Sequence, residues 1–475
     1  MSRITERLPA GTGPAIERLR GYRAPVPRDL AFGARLRSDL LEAQPLPRRS
    51  LSAGWLASAW RPAGAVALAA VTVVGTGSYL RYRLHATAGS SGQPEPYGKL
   101  TPLLLTKVGT VPMGIAVDPL AGAEQIGRAY VTGGGGVTVI DSSQGTNLNL
   151  IAQSGHTNLI AVDAAHRRLY VVDGGGGLRI LDDSDYGTAR HTAAAGTGAY
   201  ALAIDHRRGR VFVATSTAPN DPSNCNYGYV STFDASSGAL LNTVAANMPP
   251  GYQQLPGAGC ATSTMSGPQG AAVDEVAGCL FVVARTGPSP QRQSDMISVL
   301  DSRSGALLRT VRMGSRPDAV AVDARTSRAF VTTAGGIAVL DSRRGTLLRT
   351  VTADGARGIA IDAGRGLVFV AAGTQLLELD ATTGAIRRAI PLQRDGSAAL
   401  VAIDGHHGRI FVALLDDVAA GGKGALVILD EALGTVVDSA QVGGSPDAMA
   451  VDSVHGRVFV VNEDDSTTSV FATGI

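Results

Sequence analysis

The sequence predicts an all-β protein, a β-propeller of four-stranded blades, and three observations carry that prediction. The stretch Pro317–Val351, PDAVAVDARTSRAFVTTAGGIAVLDSRRGTLLRTV, holds four apolar runs of four to six residues, each rich in Val, Ile, Leu or Phe and bounded by Gly, Asp, Ser or Arg. Runs this short and this punctuated read as strands joined by tight turns, not as helices. The same order of runs recurs seven more times: the motif A-[VI]-D that ends the first run places its aspartate at Asp118, Asp163, Asp205, Asp274, Asp323, Asp362, Asp404 and Asp452. Four strands in roughly 40 residues is the period of a propeller blade. The two ends also complement each other. The last repeat stops after its third run, whereas LLLTKVGTVPMGIAVD near the start matches LLRTVRMGSRPDAVAVD between two internal repeats. Leu103–Val108 is therefore a fourth strand without a repeat of its own, and pairing it with the last repeat closes the ring and hides two open edges. Counting first strands gives eight blades; the alternative is seven, because the fourth run of the second repeat, near ARHTAAAG, is weak.

Ahead of the repeats the chain reads differently. Residues 1–60 carry Arg and Pro, as in APVPRDL and QPLPRRS, without a sustained period, which predicts a mostly disordered cytoplasmic segment. Residues 61–82 are predicted as one transmembrane helix: Ala63–Leu80 runs 18 residues without a charge, with Trp55 and Trp60 before it and Tyr79 and Tyr82 at its far end. The first 61 residues hold 11 Arg against five acids, which predicts a cytoplasmic N-terminus and an extracytoplasmic remainder on the cell membrane. A leader cleaved near Ala88, releasing a secreted or periplasmic protein, is the alternative, and a buried core helix is a third reading. Residues 83–97, small and Pro-containing, predict a flexible linker, and residues 98–475 the propeller. Of the formal net charge of +2, the N-terminal segment supplies +6, leaving −4 for the rest. An acidic body argues against nonspecific binding of nucleic acid.

The second runs are near copies: RAYVT, RLYVV, RVFVA, CLFVV, RAFVT, LVFVA, RIFVA and RVFVV. The third runs end at Asp141, Asp182, Asp234, Asp301, Asp341, Asp380 and Asp430, with Gly four residues on in most repeats. That spacing predicts a hairpin turn in which the carboxylate accepts backbone N–H bonds and Gly takes positive φ. The aspartates of the first runs open the preceding turn in the same way. His166, His206, His406, His407 and His455 fall in that turn, where other repeats place Arg325, Thr326, Gly364 and Arg365, and so read as exposed turn residues rather than metal ligands.

The pattern PxxVAVD…RxFVT…IxVLD…G…L…TV resembles the YVTN-type repeat of YncE-like β-propellers, with Tyr130-Val131-Thr132 and Val460-Val461-Asn462 as partial copies of its signature. The likeness covers Leu103–Ile475. It implies a propeller exposed at the surface or in the periplasm that binds rather than catalyses, with seven blades as the usual number. Single-stranded DNA binding is also implied, and the acidic body and sparse aromatics count against it.

Specificity must lie where the repeat is interrupted. Extra length sits at Ser216–Gly228, Asn247–Pro268, Arg285–Asp295 and Leu415–Gly424, all on the face predicted to carry the second-to-third loops and the connections between blades. Three of the four belong to repeats 3 and 4, which predicts one raised patch with Tyr227, Tyr252, Gln253, Gln254 and Arg292; the bland alternative is surface-loop expansion. Cys225 and Cys260 lie in two of these insertions and are predicted to form a disulfide, leaving Cys279 free. The mouth of the central channel on that face is predicted to be lined by the residue five before each first-run aspartate: Met113, Asn158, Tyr200, Gln269, Asp318, Arg357, Ala399 and Asp447. This position varies in charge and size, as a recognition position would.

The sequence thus predicts a monomeric, membrane-anchored, non-enzymatic scaffold that binds a protein, glycan or cell-envelope ligand and needs no cofactor. The alternative is a lactonase-like hydrolase using the mouth carboxylates with a divalent metal. Covalent haem is excluded by the lack of C-x-x-C-H, and no Trp beyond Trp60 supplies the stacking of quinone-dependent propellers.

Overall fold

Where the sequence places a first run, the structure has a strand, and every described strand pair is antiparallel. The structure is a computed structural model that describes residues 68–73, 76–81, 100–121, 127–184, 188–219, 228–246, 270–283, 296–415 and 423–474. Repeats 3 to 7 each form a separate four-stranded sheet in chain order, opened by Ala201–Asp205, Ala271–Asp274, Pro317–Asp323, Ala356–Asp362 and Ser397–Asp404. In repeat 8 the strands Pro446–Asp452, Arg457–Asn462 and Thr467–Ala472 take Thr101–Lys107 as their fourth, from Thr101 opposite Ala472 to Lys107 opposite Thr467.

Repeats 1 and 2 share one six-stranded sheet because two of their junctions stay extended. Arg128–Asp141 pairs through its first half with Thr110–Asp118 and through its second half with Asn147–Asp163, bending at Gly133–Gly136, where Gly135 and Gly136 have φ of +90° and +136°. Asn147–Asp163 in turn ends repeat 1 and begins repeat 2, pairing with Arg168–Asp173. The weak fourth run of repeat 2 is a strand, Ala189–Ala194.

The repeated residues explain the packing. One aromatic per repeat, Tyr130, Tyr170, Phe212, Phe281, Phe330, Phe369, Phe411 and Phe459, is fully buried at the same place in the second strand. Each stands opposite the alanine of A-[VI]-D, as Phe330 does opposite Ala321 and Phe459 opposite Ala450. A large side chain facing a small one lets neighbouring sheets interdigitate without voids. Eight apolar clusters result, each shared by two successive repeats, and one of them joins the last repeat to the first through Ile115, Val117, Ala450 and Phe459.

Fourth strands are the exposed edges. Each carries one extra residue that breaks register with its neighbour: Leu148, Arg190, Leu241, Leu308, Leu348, Arg387, Val437 and, in the N-terminal strand, Leu103. The shared bulge identifies Thr101–Lys107 as the counterpart of the other seven.

The predicted transmembrane helix takes another form. Leu68–Val73 and Thr76–Arg81 pair as a β-hairpin, and among the described residues no helix is long and apolar enough to cross a membrane. The β-branched run Val71-Thr72-Val73 favours strand. The hairpin neighbours first strands of repeats 1, 6, 7 and 8 along one strand and of 2, 3 and 4 along the other. The predicted disordered segment, residues 1–60, and the predicted linker, residues 83–97, lie outside the described residues.

Candidate functional site

The face that carries the first-to-second turns is occupied by structural chemistry. All eight first-strand aspartates are buried, at most 6% exposed. One oxygen of each accepts backbone N–H groups of the following turn, as Asp163 does from His166 and Asp404 from His406 and His407. In six repeats the second oxygen takes a side chain three residues on: His166, His407 and His455 through Nδ1 at 2.8, 2.8 and 2.7 Å, Arg208 and Arg365 at 3.0 and 2.8 Å, and Thr326 at 2.9 Å. Three of the predicted exposed histidines are thus caps on buried carboxylates, and the side chains of His407 and His455 are only 16% and 19% exposed. His206 instead reaches the aspartate of the preceding repeat, Asp163, at 3.5 Å, and its backbone N–H donates to Glu275. Burial opposes the His206 charge, but Asp163 more than offsets it, and the imidazole pKa is raised.

The same aspartates meet the next repeat. The residue after each third strand donates its N–H to a carbonyl of that repeat's own first-to-second turn, which sets its side chain at the boundary. Ser142 there bonds Asp452 of the last repeat, Ser302 bonds Asp205 at 2.7 Å and Ser342 bonds Asp274 at 2.5 Å. Two repeats place an acid instead. Asp183 faces Asp118, receives the Tyr130 hydroxyl and lies 3.6 Å from Arg128; burial, then the charges of Asp183 and Asp452, push Asp118 up to about 7 against the pull of the Leu120 N–H. Glu431 faces Asp362 and takes Arg365 at 2.6 Å; burial and Asp362 push it up to about 8. Sequence reading assigned the aspartates to turns alone and missed this second partner; the only signal was the identity of the residue after each third-strand aspartate.

The opposite ends of the first strands carry the predicted channel-mouth positions. Asn158, Arg357 and Asp447 are half-buried, whereas Tyr200 and Asp318 are buried, at 7% and 5%. Tyr200 packs in the apolar cluster between repeats 3 and 4, its hydroxyl against Gly228, where a Cβ would stand 2.4 Å away. It offers little surface to a ligand. Asp318 and Arg357 sit on neighbouring first strands, and Asp447 lies two strands beyond Arg357. The threonine of the second strand fixes this row: Thr132 donates to the carbonyl of Asn158 and Thr332 to that of Arg357, at 3.2 and 2.7 Å. Asp447 is pushed up to about 7, first by burial and then by Glu463, itself raised. Among the described residues no group of three or more His, Cys, Asp or Glu is placed to hold a metal ion.

Insertion residues Tyr227, Tyr252, Gln253, Gln254 and Arg292, with Cys225, Cys260 and the mouth residue Gln269, lie outside the described residues. Their anchors do not. Three insertions follow second strands, Arg210–Thr215, Cys279–Val283 and Arg409–Leu415, and the fourth follows the fourth strand Leu240–Ala245. Cys279 is buried and free, and burial raises its thiol pKa. Beside the insertion after Leu415 is a polar cavity of about 410 Å³ lined by Gln393, Arg394, Asp395, Ser439 and Gln441, with Arg394 bonded to Ser439 at 2.7 Å.

Residues 293–474 match the family described as outer membrane protein assembly factor BamB. No curated protein matches the chain. Among solved structures the chain is similar to BamB from Moraxella catarrhalis (16% identity, 78% of this chain and 99% of that one, TM-score 0.53). It is also similar to the computationally designed Ika8 protein (13%, 79% and 100%, TM-score 0.57) and to Sqt1 from Saccharomyces cerevisiae (12%, 78% and 99%, TM-score 0.55). At these identities the likeness shows the fold, a β-propeller of repeated four-stranded sheets, and not the activity.

Proposed function

We propose that the chain is a non-enzymatic binding scaffold, an eight-bladed propeller of the YVTN type closed by Thr101–Lys107, that holds a protein partner at the cell envelope through the insertions of repeats 3 and 4. One observation carries this reading. The repeated polar residues are consumed in hydrogen bonds within and between repeats, while the non-repeated length leaves from the ends of second and fourth strands, on the side of the mouth row. A rigid ring with variable loops at one end is suited to recognition, and the match to a family described as an assembly factor favours protein over glycan as the ligand class. A Cys225–Cys260 disulfide would brace the raised patch. Anchoring through residues 61–82, with the repeats outside the cell, belongs to the same proposal and requires this stretch to exchange its hairpin for a bilayer-spanning helix.

The full-length chain, screened by thermal shift against divalent metals, lactones, glycans and oligonucleotides, and by cross-linking in intact envelopes, tests this reading. The expectation is protein cross-links that vanish when Asn247–Pro268 is shortened, with no metal-dependent stabilisation. The hydrolase alternative rests on Asp447, whose carboxyl near 7 beside Glu463 suits proton transfer. It predicts lactone turnover abolished by Asp447→Asn, and that result would displace the scaffold reading.

A further inference from the structure

The most regular part of the chain carries a surface that the insertions do not explain. Repeats 4 and 5 end in ALLRTV and TLLRTV, whose leucine pairs are strongly exposed: Leu308 is 52% and Leu348 49% accessible. Each of these two is the bulged residue of its strand, so the register break turns it out of the sheet. Arg309 and Arg349 follow immediately, and the turn before Leu347 adds Arg343 and Arg344; all four are exposed. The turn packs on the neighbouring sheet, since Gly345 stands against Val299, the residue paired with Arg309. Arg309 therefore lies beside the turn of Arg343 and Arg344, and Arg349 extends the row of arginines toward the next turn, at Thr383. None of the four makes an ion pair with a described residue, although Arg349 donates to the Thr383 carbonyl at 3.3 Å. Through one oxygen each, the turn carboxylates Asp301 and Asp341 accept the backbone N–H groups two and three residues on, those of Arg303, Ser304, Arg343 and Arg344, and both aspartates stay partly exposed beside the arginines. This basic patch sits on a body whose overall charge is negative.

We infer that the outer edge of repeats 4 and 5, Arg309, Arg343, Arg344 and Arg349 around Leu308 and Leu348, is a peripheral docking surface for an anionic lipid bilayer. The two strands are the outer strands of their sheets, with Leu308 and Leu348 open to solvent, which suits a planar partner. Guanidinium groups beside outward leucines match a surface that is anionic at the headgroups and apolar just beneath. Repeat 3 supplies a natural control: its ALLNTV keeps the exposed pair Leu240 and Leu241 but has Asn242 in place of the arginine.

Sedimentation of the full-length chain with vesicles of neutral lipid alone, or with about a third anionic lipid, tests the assignment. The N-terminal arginines are common to all variants, so differences between variants report the rim. The expected result is at least tenfold tighter binding to anionic vesicles, with that preference reduced severalfold in Arg309→Gln/Arg343→Gln/Arg344→Gln/Arg349→Gln and the affinity weakened severalfold in Leu308→Ser/Leu348→Ser, with Leu241→Ser unchanged and melting temperatures preserved. An anionic preference in the arginine variant equal to that of the parent would overturn the inference. So would equal binding to soluble polyglutamate that is indifferent to the leucine changes, which would assign the patch to an acidic polypeptide instead.

Discussion

Two kinds of junction hold neighbouring repeats together at the same structural position, and they respond to different conditions. At Ser142, Ser302 and Ser342 a hydroxyl donates to the buried aspartate of the preceding repeat. At Asp183 and Glu431 a second carboxyl stands there, with Arg128 or Arg365 alongside. A hydroxyl can only donate to the carboxylate, so the first kind needs no proton from solvent. Two facing carboxyls in a dry site favour holding one proton between them, so the second kind is set by pH. Repeats joined by both kinds share one strand order and differ in their sensitivity to pH.

The largest effect should come from removing the shared acceptor. Asp452 is fully buried and receives the N–H groups of Val454 and His455, the His455 ring and Ser142. Asp452→Ala orphans these donors at the boundary between the last and first repeats, and should cost about 3–5 kcal/mol in urea unfolding. Next is the pH dependence of the acid junctions. With folded-state carboxyls near 7 at Asp118 and near 8 at Glu431, the fold retains protons that the unfolded chain has already released. Their contribution is therefore present in full below about pH 4 and lost as the pH rises through 7 and 8. Asp118→Asn and Glu431→Gln should flatten this slope, and at pH 8 each should match or exceed the parent, by an amount on the order of 1–3 kcal/mol. A parent whose stability rises between pH 5 and 8 because of these groups would contradict the comparison. The smallest effect is at the hydroxyl junctions: Ser302→Ala should cost about 1 kcal/mol, equally at pH 5 and pH 8.

Strands, turns and the N-terminal strand that pairs with the last repeat were legible because they depend on local signals, such as the period of apolar runs, the Asp-to-Gly spacing of the hairpins and the likeness of LLLTKV to LLRTVR. The alanine opposite each aromatic could be counted but not interpreted until pairing placed Ala321 beside Phe330. The junctions were not legible, because Ser142 and Asp452 are 310 residues apart and nothing in either turn names its partner. Of the predicted mouth positions, Asn158, Arg357 and Asp447 stand half-buried on the first strands, but an aromatic at that position, Tyr200, was drawn into the core where Gly228 makes room for its hydroxyl. The apolar stretch near Leu68 was read by length, which is blind to the strand preference of its valines and threonine.

The repeated bulge has a consequence for the protein's life in a crowded compartment. Each outermost strand has no neighbouring strand on one side, the feature by which extended chains recruit one another into growing ribbons. One misplaced residue in each, from Leu103 to Val437, breaks the straight ladder that such recruitment needs. The repeats can therefore present leucine-bearing edges to their surroundings without seeding a polymer of their own, and recognition at those edges falls to side chains.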